Sequence, residues 1–120
     1  MSYLLVALGG IAGALCRYHG VRLMQARTSF PLGTWLINLS GSFLLGLLLG
    51  VLSQAPSRLS TELSLLLGTG FCGAYTTFSS FAFETIQLWR QGRSWEAAIN
   101  LVSQPICGVG AAWLGLRLAS

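Results

Sequence analysis

Charge is what this chain has least of. Only 8% of its 120 residues are charged, against about 25% in an ordinary soluble domain. Lys and Asp are absent, the acids are three Glu, and all seven cations are Arg. So little charge cannot cover a folded surface in water, which excludes a soluble enzyme domain. A disordered chain is excluded as well, because 53% of the residues are hydrophobic,. The net charge of +4 rests on too few groups to form a nucleic-acid face,. With one His and no Asp there is no Ser/His/Asp set, and no carboxylates are paired, so the protein is not expected to be an enzyme,. The cysteines Cys16, Cys72 and Cys107 are odd in number and lie in separate segments; they read as small apolar packing residues,. What is abundant is hydrocarbon, at a mean hydropathy of +0.68, and that indicates an integral membrane protein.

A membrane-spanning helix needs about 20 mostly apolar residues. Residues 33–53, 63–83 and 97–116 provide that without a charge, and residues 3–23 do so if Arg17 faces protein or a water-filled vestibule,. The first segment has no basic stretch before it and no small-residue cleavage site after it, so it reads as a retained span rather than a signal peptide,. The expected architecture is all-α, a single domain over residues 1–120 with four transmembrane helices joined by 25–32, 54–62 and 90–96. Pro31 and Pro56 sit near helix starts, Ser94 suits an N-cap before Glu96, and Trp35, Trp89 and Trp95 mark span ends,. Arg22, Arg27, Arg90 and Arg93 fall on one side, Arg58 and Arg117 on the other, a small bias that weakly favours the first and third joints in the cytoplasm and leaves mixed insertion open,.

Inside the spans, Gly9 with Gly13, and Gly46 with Gly50, have the spacing that lets helices approach closely in lipid,. Thr34, Asn38 and Ser42 recur every four residues on one face of the second segment, and Asn100, Ser103, Gln104 and Cys107 make a similar stripe beside Pro105 on the fourth,. Such stripes serve either as interhelical glue or as the lining of a path. The third segment is more pointed. Gly68, Gly70 and Gly73 followed by Thr76 and Thr77 weaken a helix at its midpoint,. Non-helical backbone at membrane depth persists where it is buried or lines a cavity, and its freed carbonyls suit a small hard cation. Phe78 and Phe81 share a face with the hydroxyls; a Phe pair in a membrane helix ordinarily serves packing, while positive ring edges facing a lumen would favour an anion,. Gly68-x-Gly70-x-x-Gly73 also matches a dinucleotide pattern, but no strand precedes it; the Asn38-Leu39-Ser40 sequon lies within a span,. His19, at a span end, reads as an interfacial hydrogen-bonding residue.

The run from Gly70 through Thr77, Phe78, Ser79, Ser80 and Phe81 to Glu84 closely resembles the signature of the Fluc (CrcB-type) fluoride channel family. Gly9-Gly10 through Gly13 to Arg17-Tyr18 is similar to that family's first-helix motif, and Gly33-Thr34 through Asn38 to Gly41-Ser42-Phe43 to its second. The resemblance covers essentially the whole chain. It implies an antiparallel, dual-topology homodimer in the bacterial plasma (inner) membrane, with a broken third helix and two fluoride pores along the interface. Passive export through them would lower cytoplasmic fluoride. By the same resemblance Asn38 hydrogen-bonds fluoride, Phe78 and Phe81 line the pore, and Thr77, Ser79 and Ser103 complete it. Arg17 attracts anions at the vestibule, and Glu84 lies near the far end of the third helix. The carbonyls of Gly73 and Thr76 from both subunits hold a central structural Na+, with no organic cofactor. The fourth segment departs from the family pattern, carrying Asn100 where an aromatic is common and an unusual Gln104-Pro105.

Two other classes compete. A small proton-coupled multidrug-type exporter needs a membrane-buried carboxylate, whereas the first segment has no acid and Glu84 stands at a span end,. A non-conducting membrane subunit would not need a hydroxyl-rich kink aligned with Phe residues.

Overall fold

Every backbone N–H and C=O in an apolar solvent needs an internal partner, and these Leu-, Ala- and Gly-rich runs meet that demand by coiling. The computed structural model describes residues 2–25 and 30–120. Three of its helices are long and apolar enough to cross a membrane: α1 (Ser2–Gln25), α2 (Leu32–Leu52) and α6 (Ser94–Ala119). The 26 residues of α6 extend about 39 Å at ~1.5 Å per residue, more than the ~30 Å of hydrocarbon. Between α2 and α6 the chain is helical in pieces. These are α3 (Ser57–Leu63), a π-helical stretch (Ser64–Cys72), the single turn α4 (Gly73–Tyr75) and α5 (Phe78–Arg90).

The structure differs from expectation in three places. Residues 54–62 were expected as a connection, yet α3 starts at Ser57. Pro56, with φ −55°, presets the helical entry, and Arg58 pairs with Glu62 at 3.6 Å one turn on,. Ser94 is not the N-cap of α6 but its first helical residue, with Arg93 in the cap position. The reason lies in the preceding turn. Gly92 has φ +79°, Arg93 N–H donates to the Leu88 carbonyl at 2.9 Å, and this helix-ending motif brings the chain into α6 one residue early,. Arg93 then pairs with Glu96 in the first turn. Trp35 does not point to an interface, because its indole N–H donates to Ser103 Oγ on α6 at 2.9 Å. Trp89 and Trp95 are exposed at helix ends. Arg27, one of the residues in the expected charge bias, lies outside the described residues.

Helix α2 lies along α6, α1 rests on the π-helical stretch and α4, and α5 packs on α6. The close crossings are made by glycine. A Cβ on Gly9 or Gly13 would run into the Leu66 or Phe71 carbonyl, and one on Gly46 into the Ala112 carbonyl. The small-residue spacings therefore serve packing.

The apolar core is thin, consisting of Ile37, Leu52, Cys72, Phe81, Leu88 and Ala97, while Leu8, Ile11, Val109 and Trp113 stand more than half exposed. That is inside-out for water and fitting for lipid or a protein partner. Three polar residues, Thr34, Thr77 and Asn100, are instead buried among the helices. They lead to the site.

Candidate functional site

After Tyr75 the chain leaves the helix for two residues. Thr76 (φ −85°, ψ 156°) and Thr77 (φ −147°, ψ 117°) are extended, and helix resumes at Phe78. β-Branched threonines accept that conformation readily. Asn38 of α2 makes it stable. Its Oδ1 accepts from Thr77 N–H at 2.8 Å, and its Nδ2 donates to the Thr77 carbonyl at 3.0 Å, so one side chain satisfies both faces of the displaced residue. The Thr77 hydroxyl then caps α5 by accepting from Ser80 N–H at 3.2 Å,.

These diversions leave specific carbonyls bare. In a continuous helix Thr77 N–H would bond the Gly73 carbonyl and Ser80 N–H the Thr76 carbonyl. Both donors are committed elsewhere, to Asn38 and to Thr77 Oγ1. Among the described residues no backbone amide replaces them. Gly73 is exposed, Thr76 half-buried.

A line of side chains runs on from Asn38. Its Nδ2 also donates to Gln104 Oε1 at 2.9 Å; Gln104 Nε2 donates to Asn100 Oδ1, Asn100 Nδ2 to Thr85 Oγ1, and Thr85 Oγ1 to the Phe81 carbonyl, each at 2.8 Å. Asn100 is fully buried. The line begins at a backbone N–H and ends at a backbone C=O, which can only donate and only accept. Its direction, and the orientation of all three amides, follows from its ends. A second polar contact joins the same helices, Thr34 Oγ1 donating to Glu84 Oε1 at 2.8 Å. The other Glu84 oxygen is buried and has no partner among the described residues.

Beside the break lies an open groove of about 460 Å³. Asn38, Ser42, Thr77, Phe78, Phe81 and Gln104 are among its lining residues, together with the backbone around Gly73 and Thr76. Phe78 and Phe81 adjoin, with ring centroids 5.8 Å apart and planes tilted by 57°. Phe81 is 8% exposed and Phe78 79% exposed, so one ring is anchored and the other bare. Such a groove offers amide donors, hydroxyls and ring edges without a formal charge, an arrangement that suits a small anion.

Of the residues singled out from sequence, Asn38, Thr77, Phe78, Phe81, Gly73 and Thr76 come together here. Ser79 is exposed at the margin, its Oγ 3.3 Å from Thr77 Oγ1. Ser103 does not line the groove; it is held by Trp35. Arg17 is half-buried on α1, away from the groove lining. Asn100 and Gln104 were read from sequence only as members of a polar stripe, and Thr85 was not singled out. The four-residue spacing of Asn100 and Gln104 was visible, but their partners on α2 and α5 were not.

Residues 4–116 match the profile of the family described as CrcB-like protein, camphor resistance (CrcB). Among similar proteins, one named Fluoride-specific ion channel FluC 2 from Rhodococcus jostii is 45% identical over 120 residues, all of both chains. FluC 1 of Streptomyces avermitilis is 44% identical over 99% of this chain and 96% of its own length. FluC of Acidobacterium capsulatum is 47% identical over 97% and 94% respectively. With a family profile and full-length relatives agreeing, this membrane protein belongs to the CrcB (FluC) family.

Proposed function

We propose that the protein is a fluoride-specific ion channel that lowers cytoplasmic fluoride by passive export. The observation that carries the reading is the uncharged groove in which Phe78 and Phe81 meet the side chains of Asn38, Thr77 and Gln104. The names of full-length relatives support the choice of ion. Fluoride is small and strongly hydrated, so a path must replace its water with close donors yet let the ion leave. Amides and hydroxyls donate without a fixed charge that would trap it, and ring edges add weak positive potential.

In this reading α1, α2, the combined course of α3 to α5, and α6 are four spans, and the extended Thr76–Thr77 backbone is a break at membrane depth. The functional unit is an antiparallel, dual-topology homodimer in lipid, at the bacterial plasma (inner) membrane, with two pores along the interface. The bare face of Phe78 supports a partner there, since a ring that adjoins Phe81 on one side and is otherwise 79% exposed has room for a second subunit,. Thr77, Ser79 and Ser103 belong to the polar path, and Arg17 to the vestibule. Ser103 reaches the ion only if Trp35 yields its hydrogen bond.

The bare carbonyls of Gly73 and Thr76 fit a hard cation, because oxygen ligands without amide donors are what such an ion coordinates,. We assign them to a structural Na+ at the dimer centre. When bound, the ion supplies positive charge in a low-dielectric setting and ties the two subunits together. Asn38, by holding Thr77 extended, keeps those carbonyls free.

The test is efflux from liposomes containing the purified protein, read with a fluoride electrode and a chloride control. Fast fluoride release without chloride release or a proton gradient is expected. A folded dimer in Na+ that releases no fluoride overturns the channel reading.

A further inference from the structure

Asn38 grips Thr77, and the following residues of α2 grip the two residues before it. Ser40 Oγ and Tyr75 Oη lie 2.9 Å apart. Ser40 spends its one hydrogen on the Ile37 carbonyl at 3.1 Å, so the phenol is the donor and Ser40 the acceptor,. The Tyr75 ring is stacked on Phe71, with centroids 5.4 Å apart and planes 16° from parallel. Tyr75 is thus held both at its ring and at its tip, and it is the last helical residue before the break. Thr76 is held too. Its hydroxyl donates to the Cys72 carbonyl at 2.9 Å, and its methyl fills the gap at Gly41, where a Cβ would collide with it. In the chain Tyr75 stands between the two bare carbonyls, those of Gly73 and Thr76. Neither carbonyl has a helical hydrogen bond to fix its direction, so the side chains around them must do so. Ser40 and Tyr75 do not line the groove of Phe78 and Phe81, which leaves them no part in contacting an anion there.

We infer that the Tyr75–Ser40 hydrogen bond is a tether that sets cation affinity at the break. Tyr75 and Ser40 are positioning residues for the Gly73 and Thr76 carbonyls, and Gly41 makes the room that the tethered segment needs. Oxygens already held in place lose less freedom when they take up an ion, so cutting the tether weakens binding. The inference rests on the assignment of those carbonyls to Na+.

Two substitutions test it. Tyr75→Phe removes the hydroxyl and keeps the ring on Phe71. Ser40→Ala removes the acceptor and keeps Tyr75 intact. Melting of the purified protein is followed against Na+ concentration, with choline replacing Na+ at constant ionic strength. Stabilisation by a ligand grows as ln(1 + [L]/Kd), so the concentration at which it sets in reports affinity separately from intrinsic stability. Losing one hydrogen bond that serves the bound geometry should raise that concentration about fivefold in each variant. Gly92→Ala, in the turn before α6, is the control for general destabilisation. It should lower the melting temperature throughout and leave the onset where it is. An unshifted onset in Tyr75→Phe overturns the inference, because the bond then only adds stability. A shift in one tether variant without the other overturns it as well, since cutting either end must act alike. Ser40→Ala decides by its own onset if Tyr75→Phe fails to fold. An unaltered protein whose melting ignores Na+ is a different result, and it defeats the cation reading itself.

Discussion

Replacing Asn38 with Leu, which has nearly the same shape, removes both hydrogen bonds to the Thr77 backbone and the one to Gln104. Thr77 is 7% exposed, so its peptide groups are largely shielded from water. An unsatisfied buried donor or acceptor costs about 1–3 kcal/mol. Two such groups on Thr77 amount to about 2–6 kcal/mol, while Gln104 Oε1 can be hydrated from the groove and adds little. The lower end applies if Thr76 and Thr77 relax toward helix and Thr77 N–H recovers the Gly73 carbonyl. That escape itself has a consequence, because it consumes a carbonyl assigned to Na+. Unfolding in mixed micelles, followed by the fluorescence of the four Trp, measures the loss directly. The dependence of stability on Na+ should weaken in the same variant. An Asn38→Leu protein within about 0.5 kcal/mol of the original, the scatter of an inconsequential surface change, refutes the claim that Asn38 holds the break.

Phe81→Ile should cut fluoride efflux sharply while costing about 1–2 kcal/mol of packing, read by efflux and by unfolding of the same sample; full activity would remove the ring-edge mechanism. Gly46→Leu should drive α2 off the Ala112 carbonyl of α6 and abolish a monodisperse peak in size-exclusion chromatography,. Gly92→Ala places a side chain at φ +79° and should lower stability by about 1–2 kcal/mol without changing ion selectivity,. If the proposed Na+ ties two subunits together, its removal should destabilise the protein, seen as a lower melting temperature that added Na+ restores.

The three long apolar helices, the glycine crossings and the identity of most groove residues are legible along the chain. Hydropathy and small-residue spacing are local properties, and the membrane enforces them strongly. Gly73, Thr76, Thr77, Phe78 and Phe81 lie within nine consecutive residues, so their meeting at one groove needed little tertiary information. Ser94 illustrates the limit of local reading. Its residue type suits a cap, but the turn at Gly92 set the register of α6 and gave the cap position to Arg93. Trp35 is a second case, since an indole at a helix start can face the interface or a neighbour, and Ser103 on α6 decided for the neighbour.

By itself the sequence determined that this is an all-helical membrane protein, where its three long apolar helices run, and which family it belongs to. Only the tertiary structure decided which polar side chain answers which. Asn38 and Thr77 are 39 residues apart, Asn38 and Gln104 66 apart, and nothing in either stripe specifies the pairing. Hydrogen bonds between helices form only where packing brings donors and acceptors within reach, and in an apolar surround each buried polar group then takes the partner that packing supplies. The groove owes its residues to the sequence and the pairing of its polar groups to the fold.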